Sequence, residues 1–267
     1  LEAGKDVFSE KPLALDLEDV ARVETAWRES GRTFALGLVL RYAPIYREMK
    51  RLLEAGTIGR ILSLEFNETV GPAHGGYIHG GWRRKRALAG THLLEKCCHD
   101  LDLCLWLVDA FPSRAASFGG LDFFLPENRK RYGDLRHPVK DRPLYQSMGE
   151  APGGDPFTED KDIIDNQVAI LEFASGVRAT FHTNVNAGLS ERRFYIVGTD
   201  GALRGDARTG IVEVGFTDPA KEALRIDVGA KGGHAGADGQ MAADLARTIL
   251  DGDPPAAGVA EGALSLA

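Results

Sequence analysis

Along residues 91–111, "THLLEKCCHDLDLCLWLVDAF", the apolar residues Leu94, Cys97, Cys98, Leu101, Cys104, Leu105 and Val108 recur at steps of three and four. That is the period of a helix with one face turned to a core. Glu95, His99 and Asp102 recur at four and three and share a second face. The spacing predicts one helix with an apolar side and a polar stripe. Upstream, "DVFSEKP" (6–12) reads as a short buried strand stopped by Pro12. In "LDLEDVARVETAWRESG" (15–31), Leu17, Val20, Ala21, Val23 and Trp27 gather near one helical face, and Gly31 ends the helix. "TFALGLVLR" (33–41) is a near-continuous apolar run, the mark of a strand covered on both faces. Strand, helix and strand in this order predict a right-handed βαβ unit.

Beyond residue 41 the pattern changes. A helix is expected over 43–59 and an alternating strand over 60–70, then a loop rich in Gly, His and Trp over 71–90. Strands then dominate. "NQVAILEF" and "VRATFHTNVN" flank Ala174-Ser175-Gly176, and "RRFYIVG" and "ALRGD" flank Thr199-Asp200-Gly201, both hairpin signals. "IVEVGF" and "LRIDVG" continue the series, residues 126–162 read as a long loop, and a helix is expected near 238–251. Strand following strand implies a large, mostly antiparallel open sheet with helices on one face. A parallel α/β fragment (1–41) thus precedes an α+β domain (42–267).

Composition adds boundaries. With 43% hydrophobic and 27% charged residues over 267, the chain is globular and long enough for two domains. A net charge of −7 argues against a nucleic-acid surface, and the basic run Arg83–Arg86 is too short to reverse that. No apolar run is long enough to span a bilayer, and no signal peptide opens the sequence. Three cysteines on one predicted helix, two of them adjacent, make a poor disulfide framework and point to the cytoplasm.

Three places could carry chemistry. Lys11 lies at the carboxyl end of a predicted parallel strand, where open α/β sheets place their sites; a surface lysine beside a turn proline is the plain alternative. His99 could exchange a proton near neutral pH with a carboxylate one turn away; a structural histidine at a domain interface is its alternative. "GGHAGADGQ" (232–240) presents His234 among glycines, and Asp238 could cap the helix that follows. A metal site at His92, Glu95, Cys97, Cys98 and His99 is a minor reading, because no second cysteine pair completes a zinc set; no metal is assigned.

The stretches "GKDVFSEKPLA", "RYAPIYREMKRLLEAGTIGRI", "THLLEKCCHDLDLCLWL", "DNQVAILEFASGVRATF", "GTDGAL" and "GGHAGADGQ" occur in that order across nearly the whole chain. Together they resemble the glucose–fructose oxidoreductase, inositol dehydrogenase and rhizopine-catabolism (Gfo/Idh/MocA) family. The resemblance implies an NAD(P)-dependent oxidoreductase acting on a sugar, inositol or polyol hydroxyl. It implies a Rossmann-like domain, of which 1–41 is the C-terminal remnant, and a substrate-binding and oligomerisation domain over 42–267. It makes Lys11, His99 and Glu95 catalytic, and places Glu10, Lys11, Arg41, Trp82 and Arg83 near an NAD or NADP cofactor. His234, Asn184 and Asp102 would contact substrate. The open sheet would form a homodimer or homotetramer. Two positions depart from the family pattern: Glu95 stands where Asp is usual, and Cys97 where Gly is usual. The fingerprint G-x-G-x-x-G does not occur in the sequence. This polypeptide alone is therefore expected to bind NAD(P) weakly or not at all. The rival readings are a non-catalytic, sheet-mediated sugar-binding module and an NAD-dependent glycosidase of the same family.

Overall fold

The computed structural model describes residues 1–139, 141–146, 153–229 and 232–266. β1 (Val7–Ser9), α1 (Leu17–Ser30) and β2 (Phe34–Leu36) form the predicted βαβ unit, the strands pairing in parallel from Val7–Phe34 to Ser9–Leu36. α1 begins where the Asp16 carboxylate accepts the Asp19 amide at 2.8 Å, and it ends at Gly31 with φ 61°. The first satisfies an otherwise orphaned N–H, and the second needs the left-handed region that glycine enters freely. The apolar run 33–41 is not one strand. After β2 the chain turns into a 3₁₀ segment, Val39–Tyr42. These residues are apolar because they are buried, not because they pair.

α2 (Pro44–Glu54) starts on a proline at its first helical position and buries Ile45, Tyr46, Met49 and Leu52. β3 (Ile61–Thr69) follows. The expected loop over 71–90 instead holds α3 (Pro72–Gly80), a 3₁₀ turn at Trp82–Arg84 and α4 (Arg86–Ala89). The glycines that suggested a loop are there for close approach: a Cβ on Gly75 or Gly76 would collide with the carbonyl oxygen of Val185 or Tyr145. The predicted helix over 91–111 is two helices, α5 (His92–Glu95) and α6 (Cys98–Val108), with Cys97 at φ −96° and ψ 2° between them. β4 (Pro112–Gly120) leads into the expected long loop. Its described part contains α7 (Arg129–Tyr132) and 3₁₀ turns at Pro126–Asn128 and Leu144–Gln146, while residue 140 and residues 147–152 lie outside the described residues.

β5 (Asn166–Phe173), β6 (Arg178–Asn184), β7 (Arg193–Gly198), β8 (Gly201–Asp206), β9 (Ile211–Phe216) and β10 (Leu224–Asp227) match the predicted strand series. α8 (Ala237–Asp251) and α9 (Val259–Leu266) complete the chain. The large sheet has eight strands in the order β10-β9-β8-β7-β3-β6-β5-β4, antiparallel throughout except for the parallel β3–β6 pair. Period-two alternation turns Leu64, Phe66, Ala179, Phe181, Phe194, Ile196, Leu203, Val212 and Val214 inward, where α2 and α6 cover them. Phe194 lies between Phe66 at 5.0 Å and Tyr46 at 5.7 Å, so truncating Phe66 or Phe194 to alanine would cost about 3–5 kcal/mol.

The βαβ unit has a separate small core. Phe34, Leu36 and Leu38 pack with Ala257 and Val259, and the Leu36 amide donates to the Ala257 carbonyl at 2.9 Å. The C-terminal end of the chain therefore returns to the N-terminal unit, where α9 packs on α1, β2 and α6, and α6 packs on β3 of the large sheet.

Candidate active site

Lys11 leaves the carboxyl end of β1 and reaches α5. Its Nζ donates to the Glu95 backbone carbonyl and stands 3.4 Å from Glu95 Oε1, to which Arg83 Nε also donates at 3.0 Å. The Arg83 guanidinium lies 4.3 Å from the ring centre of Tyr77 and 4.5 Å from that of Trp82, two cation–aromatic contacts that favour a cation there. The side chains of Lys11, Glu95 and Arg83 keep 18, 12 and 18% of their surface. Lys11, then Arg83, holds the Glu95 carboxyl below its usual range even though burial pushes the other way. Four of the predicted residues, Lys11, Trp82, Arg83 and Glu95, are thus brought together.

The break at Cys97 changes the predicted stripe. Glu95 closes α5 while His99 belongs to the first turn of α6, and among the described residues no hydrogen bond joins them. His99 is 5% exposed, and its Nδ1 is buried without a partner. Burial first, then the charges of Arg192, Lys11, Lys96 and His234, push its pKa well below the usual histidine range. The imidazole is neutral and can receive a proton.

A second ionic cluster was not read from the sequence. Arg192 donates to both Asp100 oxygens at 2.8 and 2.7 Å and lies 3.0 Å from Glu68 Oε2, while Lys96 Nζ is 3.3 Å from Glu68 Oε1. Asp100 and Glu68 are buried, and burial lifts the Asp100 carboxyl to about 6 despite the guanidinium. His74 on α3, held at about 3 by burial and Lys96, borders the same cluster. One signal was available: Glu68 falls in phase with Leu64 and Phe66 along β3, an acid at an inward position.

The other predicted site residues lie as follows. Asp102 is 2% exposed and accepts from Arg41 Nε and Nη2 at 2.8 and 2.7 Å, and Arg41 also donates to the Ala256 carbonyl. This pair ties α6 to the segment before α9. Asn184 ends β6, with its Oδ1 accepting the Asn186 amide at 2.8 Å. Glu10 is exposed beside Gly37, where a Cβ would stand 2.8 Å from Glu10 Oε2. His234 lies against His99, ring centres 6.4 Å apart, and its Nδ1 is 2.7 Å from Asp238 Oδ1. Asp238 therefore pairs with His234 and does not cap α8, which Gly236 precedes in a left-handed conformation. All three cysteines are free and buried. Among the described residues no group of three His, Cys, Asp or Glu could hold a metal ion, and no helix is long and apolar enough to cross a membrane.

Residues 50–267 match the family described as "Oxidoreductase family, C-terminal alpha/beta domain", the GFO_IDH_MocA C-terminal model. The chain belongs to the Gfo/Idh/MocA oxidoreductase family. It is 27% identical to the oxidoreductase YteT of Bacillus subtilis over 297 residues, covering 95% of this chain and 68% of YteT. It is 36% identical to inositol 2-dehydrogenase 3 of Saccharopolyspora erythraea over 113 residues, 41% of this chain and 30% of that protein. The fold of levoglucosan dehydrogenase, solved with NADH and levoglucosan, superposes with a TM-score of 0.75 at 22% identity, covering 99% of this chain and 70% of that one. The chain thus spans only part of the length of these relatives.

Proposed function

We propose that this chain carries the catalytic and substrate-binding part of an NAD(P)-dependent dehydrogenase that oxidises a secondary hydroxyl of a sugar, inositol or related polyol. The observation that carries the reading is the Lys11–Glu95 contact off the carboxyl end of a parallel strand, with the neutral His99 within electrostatic reach of Lys11. Residues 1–41 belong with a dinucleotide-binding domain, to which α9 packs, and the rest of 42–267 forms the substrate and oligomer domain. The relatives named inositol 2-dehydrogenase and levoglucosan dehydrogenase support a polyol substrate.

The residues present fit the nicotinamide end of the cofactor. The close approach of Gly37 to Glu10 lies at the ends of β1 and β2, the Trp82–Arg83 pair is joined to Lys11 there through Glu95, and His99 brings a buried, partnerless Nδ1. Arg41, engaged with Asp102, acts on the cofactor side by placing α6. The pyrophosphate loop is not among these residues. When bound there, the nicotinamide supplies the hydride acceptor. His99 takes the hydroxyl proton as general base, and Lys11 stabilises the oxygen as negative charge develops on it. Glu95 holds the ammonium in place and neutralises Arg83. His234 and Asn184 complete the polar wall toward substrate.

The reduced, buried cysteines favour the cytoplasm. The outer face of the sheet favours a homo-oligomer. Phe118, Val168 and Ile170 are 76, 47 and 56% exposed, with Phe118 and Val168 opposite one another across the β4–β5 pair. Phe118→Asp should convert the oligomer to monomer in sedimentation equilibrium; an unchanged mass would place the interface elsewhere.

Turnover tests the main reading. With a complete dinucleotide-binding half preceding this chain, nicotinamide reduction is measured against a panel of sugars and inositols. Lys11→Met and His99→Asn should each lower kcat/KM by about 10²–10⁴. No reduction on any member, with the fold intact, would overturn the dehydrogenase.

A further inference from the structure

His99 has an awkward place for a general base. It is buried, and the charged groups facing it are cations: Lys11 from the end of β1, Lys96 from the α5–α6 joint and Arg192 from just before β7, with the His234 ring facing it from the loop before α8. Glu68, Asp100 and Glu95 are engaged by those same cations. An imidazole in this setting can take a proton but is a poor place to leave one. Its Nδ1, buried and without a hydrogen-bond partner, has no carboxylate to share the charge with.

The neighbour that could relieve it is His234. The two rings are 6.4 Å apart and tilted by 50°. That is wider than a direct hydrogen bond between imidazoles leaves, and of the order one bridging water spans. His234 Nδ1 is 2.7 Å from Asp238 Oδ1, and both side chains keep about half their surface, 52 and 53%. The backbone commits to this placement: His234 and Ala235 both have positive φ, 46° and 56°.

We propose that His234 and Asp238 form a proton relay that carries the substrate hydroxyl proton from His99 to solvent. The proposal rests on the dehydrogenase reading above. As the C–H bond gives up its hydride, the O–H proton passes to His99 Nε2, the ring nitrogen that is not sealed in the interior. From Nε2 it passes to a bridging water, and the water returns one of its own to His234 Nε2. Asp238 holds His234 Nδ1–H and stabilises the transient imidazolium, which then releases its proton to bulk water. No proton accumulates on His99. His234 acts through His99 and need not touch the substrate.

One experiment reads the relay without turnover. In the full chain labelled with ¹⁵N-histidine and assigned with His99→Asn, the solvent exchange rate of the His99 ring N–H is measured by NMR. The variant is His234→Gln, which can still hydrogen-bond Asp238 but cannot titrate; at an exposed position it leaves the core untouched. Exchange should slow about tenfold or more in His234→Gln and by a smaller factor in Asp238→Asn, since an adjacent acid–base group is what catalyses it. In turnover, His234→Gln should lower kcat about tenfold with KM nearly unchanged and should be rescued by added imidazole. Unchanged exchange overturns the relay. A raised KM with unaltered kcat would make His234 a substrate contact only and overturn it as well. If the parent enzyme itself reduces no nicotinamide on any polyol, the dehydrogenase reading fails, and the exchange rates still decide whether His234 serves His99.

Discussion

Two ionic clusters flank α6, made from the same kinds of side chain and put to different ends. In one, Lys11 and Arg83 share Glu95, and all three side chains remain partly open. In the other, Arg192 and Lys96 share Glu68 and Asp100, and the carboxylates are sealed at 3 and 0% exposure. An open cluster keeps lone pairs and protons available to a ligand and gains little stability from its Coulomb energy. A sealed one fixes geometry, and breaking it leaves a charge stranded in the interior. On the proposed function, the contrast separates the groups assigned to chemistry from those that hold α6 in register with β3, and with it His99.

The contrast makes its largest prediction at Arg192. Arg192→Met removes the guanidinium that pairs Asp100 and Glu68 and should destabilise the fold by about 3–5 kcal/mol in urea unfolding. Lys11→Met, measured the same way, should cost less than about 1 kcal/mol while abolishing most turnover. A Lys11 variant that lost stability like the Arg192 variant would erase the distinction between the clusters.

A second test uses acid. His79 and His92 are buried with pKa values driven down to about 3 and about 4, His99 is driven well below its usual range, and burial is the leading cause in each. The unfolded chain protonates these rings near pH 6.5 while the folded chain does not. Stability is therefore full above pH 6.5 and falls as pH drops toward 4. Asp100 acts in the opposite sense. Its folded pKa of about 6 lies above the unfolded value, so the folded chain gains one proton there between pH 6 and 4. His74, also driven down to about 3, makes a fourth such ring, so the net is three protons taken up on unfolding near pH 5. Stability should then decline by roughly 4 kcal/mol per pH unit, from about 1.4 kcal/mol per proton. Urea midpoints at pH 7, 6 and 5 and constant ionic strength check it; a flat profile would mean that the buried rings find protons after all.

The sheet, the βαβ unit and the place of Lys11 were legible because each rests on a local rule: alternation along β5 to β9, a capped amphipathic α1, a lysine at a strand's end. Three features were not. The Cys97 break is invisible to periodicity, since the apolar steps of three and four run straight through it. α3 was hidden by its glycines, whose job is to let Val185 and Tyr145 approach. Arg192 was passed over because arginine is almost never buried unless paired, and its partners lie 92 and 124 residues away in sequence, Asp100 and Glu68. What the sequence could not supply in each case was a long-range contact.

The finest test applies one chemical change to both clusters. Glu68→Gln and Glu95→Gln each exchange a carboxylate for a carboxamide of nearly the same shape, so packing is preserved and only charge and hydrogen bonding change. At Glu95 both cationic partners border open space, and water can take over the lost charge. Unfolding free energy should fall by less than about 1 kcal/mol, while turnover drops because the lysine has lost its anchor. At Glu68 the partners are Arg192, 11% exposed, and Lys96, 15% exposed, and the carboxylate itself keeps only 3% of its surface. The loss there should be about 2 kcal/mol or more, short of the full cost of a stranded buried charge because Asp100 still engages Arg192. Equal losses at the two sites would show that exposure does not divide them, and the assignment of chemistry to one side of α6 and scaffolding to the other would have to rest on the position of Lys11 alone.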